Sequence, residues 1–149
     1  MNLNELFNNL SQTMENMLDS LEPVPYQPTE VSEYKTITFD GTEKCNTRWK
    51  ALLSQHIHTA KTVEIHCWNE ETEEIALALQ YGTIKPSNWK YGTIIEGPVT
   101  PEFTHIILNM PKPSNPTNGY NMMTPFFGII FDNGFSSEHY GTENHIKLN

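Results

Sequence analysis

From Val63 to Trp68 apolar and polar positions alternate, with Val63, Ile65 and Cys67 on one side and Glu64, His66 and Trp68 on the other. That two-residue period marks a pleated strand with one face toward a core. At Asn69 the pattern changes. Asn69 is suited to cap a helix, Glu70, Glu71, Glu73 and Glu74 stand where a helix dipole favours negative charge, and Gly82 suits a left-handed stop. Ile75, Ala76, Leu77, Ala78 and Leu79 between these signals are good helix formers. A hairpin with Ile75, Leu77, Leu79 and Tyr81 facing inward fits the alternation as well, but the start and stop signals both favour strand then helix.

The same reading extends along the chain. Leu3, Leu6, Phe7, Leu10, Met14, Met17, Leu18 and Leu21 recur at three- and four-residue spacing, the stripe of an amphipathic helix, and Pro23, Pro25 and Pro28 end it. Residues 1–30 are therefore expected to form an N-terminal helix and Pro-rich connector, an arm on a single domain spanning 31–149. VSEYKTITFD, residues 31–40, reads as a strand closed by Asp40-Gly41. Asn46 or Thr47 starts a helix whose face is Trp49, Leu52, Leu53 and Ile57. In SNWKYGTIIEG, Trp89, Tyr91, Thr93 and Ile95 lie two apart, predicting a strand with two large aromatics on one face. Thr100-Pro101-Glu102 is a helix start, Phe103, Ile106, Ile107 and Met110 its buried face, and Pro111 its limit.

Residues 112–119, KPSNPTNG, form a loop by composition. Residues 124–134 are the most continuous apolar run, expected as a central strand buried on both faces and turned back by Asp132-Asn133-Gly134. The segment from Phe135 onward returns as a final strand at a sheet edge. The fold class is α+β: a mixed or antiparallel sheet of about four or five strands with about three or four helices.

Composition narrows the function. The 149 residues suit one domain, and the net charge of −9 is uneven, with −6 on residues 1–40. Arg48 is the sole arginine. A chain so poor in cations has little means of neutralising phosphates, so neither direct nucleic-acid binding nor an anionic membrane surface is expected. Cys45 and Cys67 are too few for a disulfide scaffold, the N-terminus carries no secretory signal, and no apolar run is long enough to cross a bilayer. A cytoplasmic location follows as the expectation.

Candidate chemistry is sparse. His56, His58, His66 and Cys67 supply zinc-type donors, but His66 and Cys67 point to opposite faces of one strand and no CxxC or HExxH spacing gathers them. A Cys–His nucleophile pair is available through Cys45 or Cys67 with His105, His139 or His145, although an inward Cys67 would be inert. The acids at 70–74 fit a first helical turn better than a cation site. There is no phosphate-cradling glycine loop and no GxSxG elbow. No metal or cofactor is expected. The most enzyme-like piece is Ser136–Glu143, which includes Glu138, His139, Tyr140 and Glu143, yet only alternate members of a strand converge.

What remains is acidity beside candidate exposed aromatics, Trp68, Trp89, Tyr91 and Tyr140. Aromatics rimmed by carboxylates suit an inhibitor of a basic protein, since rigid rings bury area and acids steer the encounter. Three blocks, EIHCWNEE at 64–71, NWKYGTIIEG at 88–97 and MTPFFGIIFDNGFSSEHYGTE at 123–143, make the chain similar in type to the small acidic immunity proteins of bacterial contact-dependent and other polymorphic toxin systems. The resemblance covers under half of the chain, includes no defining motif and transfers no site residue. It implies a stoichiometric antitoxin, not an enzyme, that binds a co-encoded basic toxin domain such as a nuclease. Residues Trp68, Glu70, Glu71, Glu74, Trp89, Glu138, His139, Tyr140 and Glu143 are the expected contact surface. A small enzyme or ligand-binding domain using Glu138 and His139, and a phage-type inhibitor of a host enzyme, are the alternatives.

Overall fold

The computed structural model of the protein describes residues 33–40, 42–113 and 121–148. The expected N-terminal helix and connector lie outside them, as does most of the 112–119 loop. The order of elements is β1 (Glu33–Thr38), α1 (Thr47–Ile57), β2 (Thr62–Trp68), α2 (Thr72–Leu79), β3 (Thr83–Lys85), β4 (Gly92–Pro98), α3 (Pro101–Asn109), β5 (Gly128–Phe131), β6 (Ser136–Glu138) and β7 (Glu143–Leu148).

The strands form one antiparallel, open sheet in the order β1-β7-β6-β5-β2-β4-β3. This is α+β as expected, with seven strands rather than four or five and three helices among the described residues. β2 sits between β4 and β5 in a register that opposes Ile65 to both Ile95 and Ile129. Those three side chains, with Val63 and Cys67, are fully buried on one face. The three helices cover that same face. The Trp49 indole Nε1–H of α1 donates to Ser137 Oγ at 2.9 Å. A Cβ on Gly97 would come within 3.1 Å of Phe103 in α3, and Tyr81, just past α2, stacks on Phe103 with centroids 5.2 Å apart.

Local signals explain most elements. Thr100 caps α3 by accepting from Phe103 N–H at 3.1 Å, with Pro101 in the first turn. Trp49, Leu52, Leu53 and Ile57 are the buried stripe of α1. Segment 70–81 is a helix and not a hairpin, but Asn69 does not cap it. Glu71 takes the capping position without a side-chain bond into the helix, while Asn69 Nδ2 donates to Lys90 O at 3.2 Å and its Oδ1 accepts from Thr93 Oγ1 at 2.8 Å. Gly82 is required by close approach rather than by a left-handed turn, because a Cβ there would lie 2.5 Å from Glu96 O.

Two strand expectations are corrected. β4 begins at Gly92, so Trp89 and Tyr91 precede it; the Trp89 ring lies over Gly92, where a Cβ would meet it at 2.2 Å. The chain after Phe135 supplies two strands, β6 and β7, and β1 takes the edge beside β7. β5 is central as expected but shorter than the 124–134 run, and it is not buried on both faces: Gly128, Ile129 and Phe131 are buried, while Ile130 is only half-buried on the face that no helix covers.

Candidate functional site

The antiparallel register brings the end of β2, the start of β4, the start of β5 and the β6–β7 turn to one end of the sheet. Each contributes an aromatic ring there. Trp68 closes β2, Trp89 folds back over the start of β4, Phe127 precedes β5, and His139 and Tyr140 form the turn. Phe127 is the hub, its centroid 5.0 Å from Trp68, 6.1 Å from Trp89, 5.6 Å from His139 and 5.2 Å from Tyr140. The rings meet at steep angles, 85° to His139 and 75° to Tyr140, so they box a space instead of stacking. Trp68, Phe127, His139 and Tyr140 line a cavity of about 260 Å³.

The turn that carries two of these walls is strained. His139 and Tyr140 are the only non-glycine residues with positive φ among those described, at 52° and 60°, and Gly141 follows at 87°. A left-handed residue with a side chain costs roughly 1–2 kcal/mol, so the surroundings must impose it. They do so through the backbone. Tyr140 N–H donates to Phe127 O at 3.0 Å, Tyr140 O accepts from Met123 N–H at 2.8 Å, and Gly141 N–H donates to Glu138 O at 3.1 Å. The buried Asn144 amide donates to Gly141 O at 2.9 Å.

Glu71 ties the walls together. Its Oε1 accepts from the Trp68 N–H at 2.8 Å and its Oε2 accepts from the Tyr140 hydroxyl at 3.0 Å. Burial pushes the Glu71 carboxyl above its ordinary range, more than those two hydrogen bonds pull it down, and Glu74 and Glu70 add to the rise. Burial, followed by the Glu71 charge, drives the Tyr140 phenol well above its normal value, so it stays a donor. Beneath them Cys67 is fully buried, and desolvation with the Glu71 and Glu74 charges pushes its thiol up to about 12. Such a thiol is no nucleophile.

Of the expected contact residues, Trp68, Glu71, Trp89, His139 and Tyr140 are therefore gathered at this end. Glu70 is exposed on the turn after β2, Glu74 is half-buried on α2, and Glu143 Oε2 reaches His139 Nε2 at 3.4 Å. Tyr140 is 9% exposed, a buried wall and not the surface anchor expected of it, because its hydroxyl is drawn in by Glu71. Tyr91 is exposed under Lys90, whose Nζ lies 5.4 Å from the ring centroid. Glu138 parts from His139: its carboxylate lies 3.2 Å from His145 Nε2 on the uncovered face. Phe127 was not among the expected residues. Its place in an apolar run suggested core, and only the β5–β6 register shows that it opposes the turn.

The histidines and thiols considered for metal or nucleophile chemistry are dispersed. His56 stacks on Phe135 at 4.5 Å, where burial and then the neighbouring His58 lower its pKa, and His66 bonds Glu64 at 3.0 Å. Among the described residues no group of three or more His, Cys, Asp or Glu side chains is placed to hold a metal ion, and no helix is long and apolar enough to cross a membrane. No protein-family model matches this chain, and no curated protein or solved structure matches it.

Proposed function

We propose that the protein is an immunity-type binding protein that neutralises a basic toxin domain, such as a nuclease, by forming a one-to-one complex through the aromatic end of its sheet. The observation that carries this reading is the gathering of half-buried rings, Trp68, Trp89 and Phe127, at one end of the sheet beside a cavity of about 260 Å³, with Glu143 against its His139 wall and Glu70 and Glu74 on the turn and helix that follow Trp68. Rings of this kind supply hot-spot area at low entropic cost, and flanking acids accelerate encounter with a positive partner. The resemblance to acidic immunity proteins supports the partner class, and the three blocks that carry it, 64–71, 88–97 and 123–143, supply the rings named here.

The test is co-expression with the neighbouring reading frames of the native locus, scored by recovery of a stoichiometric complex and by rescue of growth. The expected result is a one-to-one complex with a growth-inhibiting domain. Charge reversal at Glu70 and Glu74, neither of whose carboxylates makes a hydrogen bond among the described residues, should slow association by about tenfold at low salt and flatten its salt dependence. Recovery of no partner and no effect of any neighbour on growth would overturn the proposal.

A further inference from the structure

We propose that the cavity between Trp68, Phe127, His139 and Tyr140 receives one cationic side chain, the guanidinium or ammonium head of an arginine or lysine of the protein partner. The inference rests on the binding reading above and specifies what the site takes. Size points the same way: at about 260 Å³ the cavity falls below the roughly 300–1,000 Å³ of sites for small molecules and cofactors, and suits one side-chain head. Its walls are rings, whose faces carry negative potential and attract a cation within about 6 Å of the centroid. Phe127 touches the Trp68, Tyr140 and His139 rings at centroid distances of 5.0–5.6 Å and all four residues line the one cavity, so a group seated in it meets more than one ring.

Charge at the rim agrees. Glu71 stands behind Trp68 and Tyr140, and Glu143 beside His139, while no lysine or arginine lines the cavity. A neutral apolar side chain would gain the ring contacts but nothing from these carboxylates. The walls are also fixed before any partner arrives. The Glu71 bond holds the Tyr140 ring and the backbone bonds fix the left-handed pair from which His139 and Tyr140 project, so binding has less to order.

The experiment titrates the full chain with N-acetyl-arginine amide, followed by ¹H–¹⁵N correlation spectra, with the isosteric neutral N-acetyl-citrulline amide as control. Saturable shifts are expected at the Trp68 indole N–H and the His139–Gly141 amides, with arginine binding about 2- to 30-fold more tightly than citrulline. Phe127→Leu, which keeps an apolar side chain and removes the hub ring, should reduce that preference; Glu143→Gln, which keeps the side chain's shape beside the His139 wall and removes its charge, should weaken arginine binding and leave citrulline unchanged. Unfolding midpoints of both variants establish that they fold. Equal response to arginine and citrulline, or shifts confined to other surfaces, overturns the proposal. The partner complex is scored in parallel. A one-to-one complex without arginine-specific shifts removes the cation pocket alone, whereas arginine-specific shifts without any complex uphold the pocket and remove the toxin-binding function.

Discussion

Tyr140→Phe isolates the bond on which the aromatic end depends. The substitution keeps the ring and its contacts with Phe127 and removes only the hydroxyl that donates to Glu71 at 3.0 Å. Hydrogen bonds to charged groups contribute about 1.5–3 kcal/mol, and because Glu71 is half-buried, water replaces part of the lost bond, which leaves about 1–2 kcal/mol. With a urea slope of about 2 kcal/mol/M the midpoint should fall by about 0.5–1 M. The loss is pH-dependent with a definite sign. The folded Glu71 carboxyl is raised above its unfolded value, so it binds more protons when folded; its contribution favours folding below the ordinary value of 4.5 and is lost as pH rises through the folded value. Removing the Tyr140 donor raises that value further, so the deficit of Tyr140→Phe should be larger at pH 8 than at pH 4.5. Glu71→Gln, which cannot ionise, should abolish the difference between the two pH values. Urea unfolding of the single and double variants at both pH values measures this. A deficit under about 0.3 kcal/mol at pH 8, or one equal at both pH values, would refute the reasoning.

Three other expectations follow from single contacts. Gly141→Ala places a Cβ 2.7 Å from the Trp49 indole nitrogen at a φ of 87°, and strain with overpacking should cost about 2–5 kcal/mol in chemical denaturation. Thr100→Ala removes the cap of α3 and should cost about 1 kcal/mol with no change in cooperativity. A thiol reagent should titrate one cysteine per folded chain, the exposed Cys45 whose pKa the Thr47 hydroxyl lowers, and two in denaturant; rapid native reaction of both would contradict the burial of Cys67.

The helices and central strands were legible because each is written locally. The Trp49–Ile57 stripe, the Thr100-Pro101 start and the Val63–Cys67 alternation are signals within a few residues, and the structure follows them. The misreadings came where distant chain decided the outcome. Asn69 has a capping side chain, but Lys90 and Thr93 compete for it across the sheet. Trp89 and Tyr91 continue the alternation of β4, yet the bare Gly92 offers Trp89 a surface to fold onto, and the strand starts only at Gly92. β3 is three residues long and exposed throughout, too short to leave a periodic signature. The aromatic and acidic members of the site were legible by type; their convergence depended on the β2–β5 and β5–β6 registers, which no local pattern encodes.

The aromatic end is also where the chain departs furthest from local preference. Elsewhere the fully buried positions of the central strands, Val63, Ile65, Ile95 and Ile129, face the helices, the exposed carboxylate of Asp40 is lowered first by the Thr42 hydroxyl, and the half-buried Glu64 is held down by Lys85 and His66 against its burial. At the β6–β7 turn two residues with side chains adopt left-handed backbone, although glycine or asparagine would do so at less cost. Beside it a glutamate is kept where burial opposes its charge. A turn built only to join β6 to β7 would need neither. Both features place the His139 and Tyr140 rings against Phe127 and hold Tyr140 to Trp68 through one carboxylate, so the free energy they cost goes into fixing the shape of the cavity. Relieving the strain should therefore separate stability from binding: His139→Gly is expected to stabilise the fold by about 1 kcal/mol while removing a wall and weakening arginine-amide binding. Unfolding curves and the same spectral titration read the two effects. A variant that gains stability and keeps full binding would mean that the turn's geometry serves the fold alone.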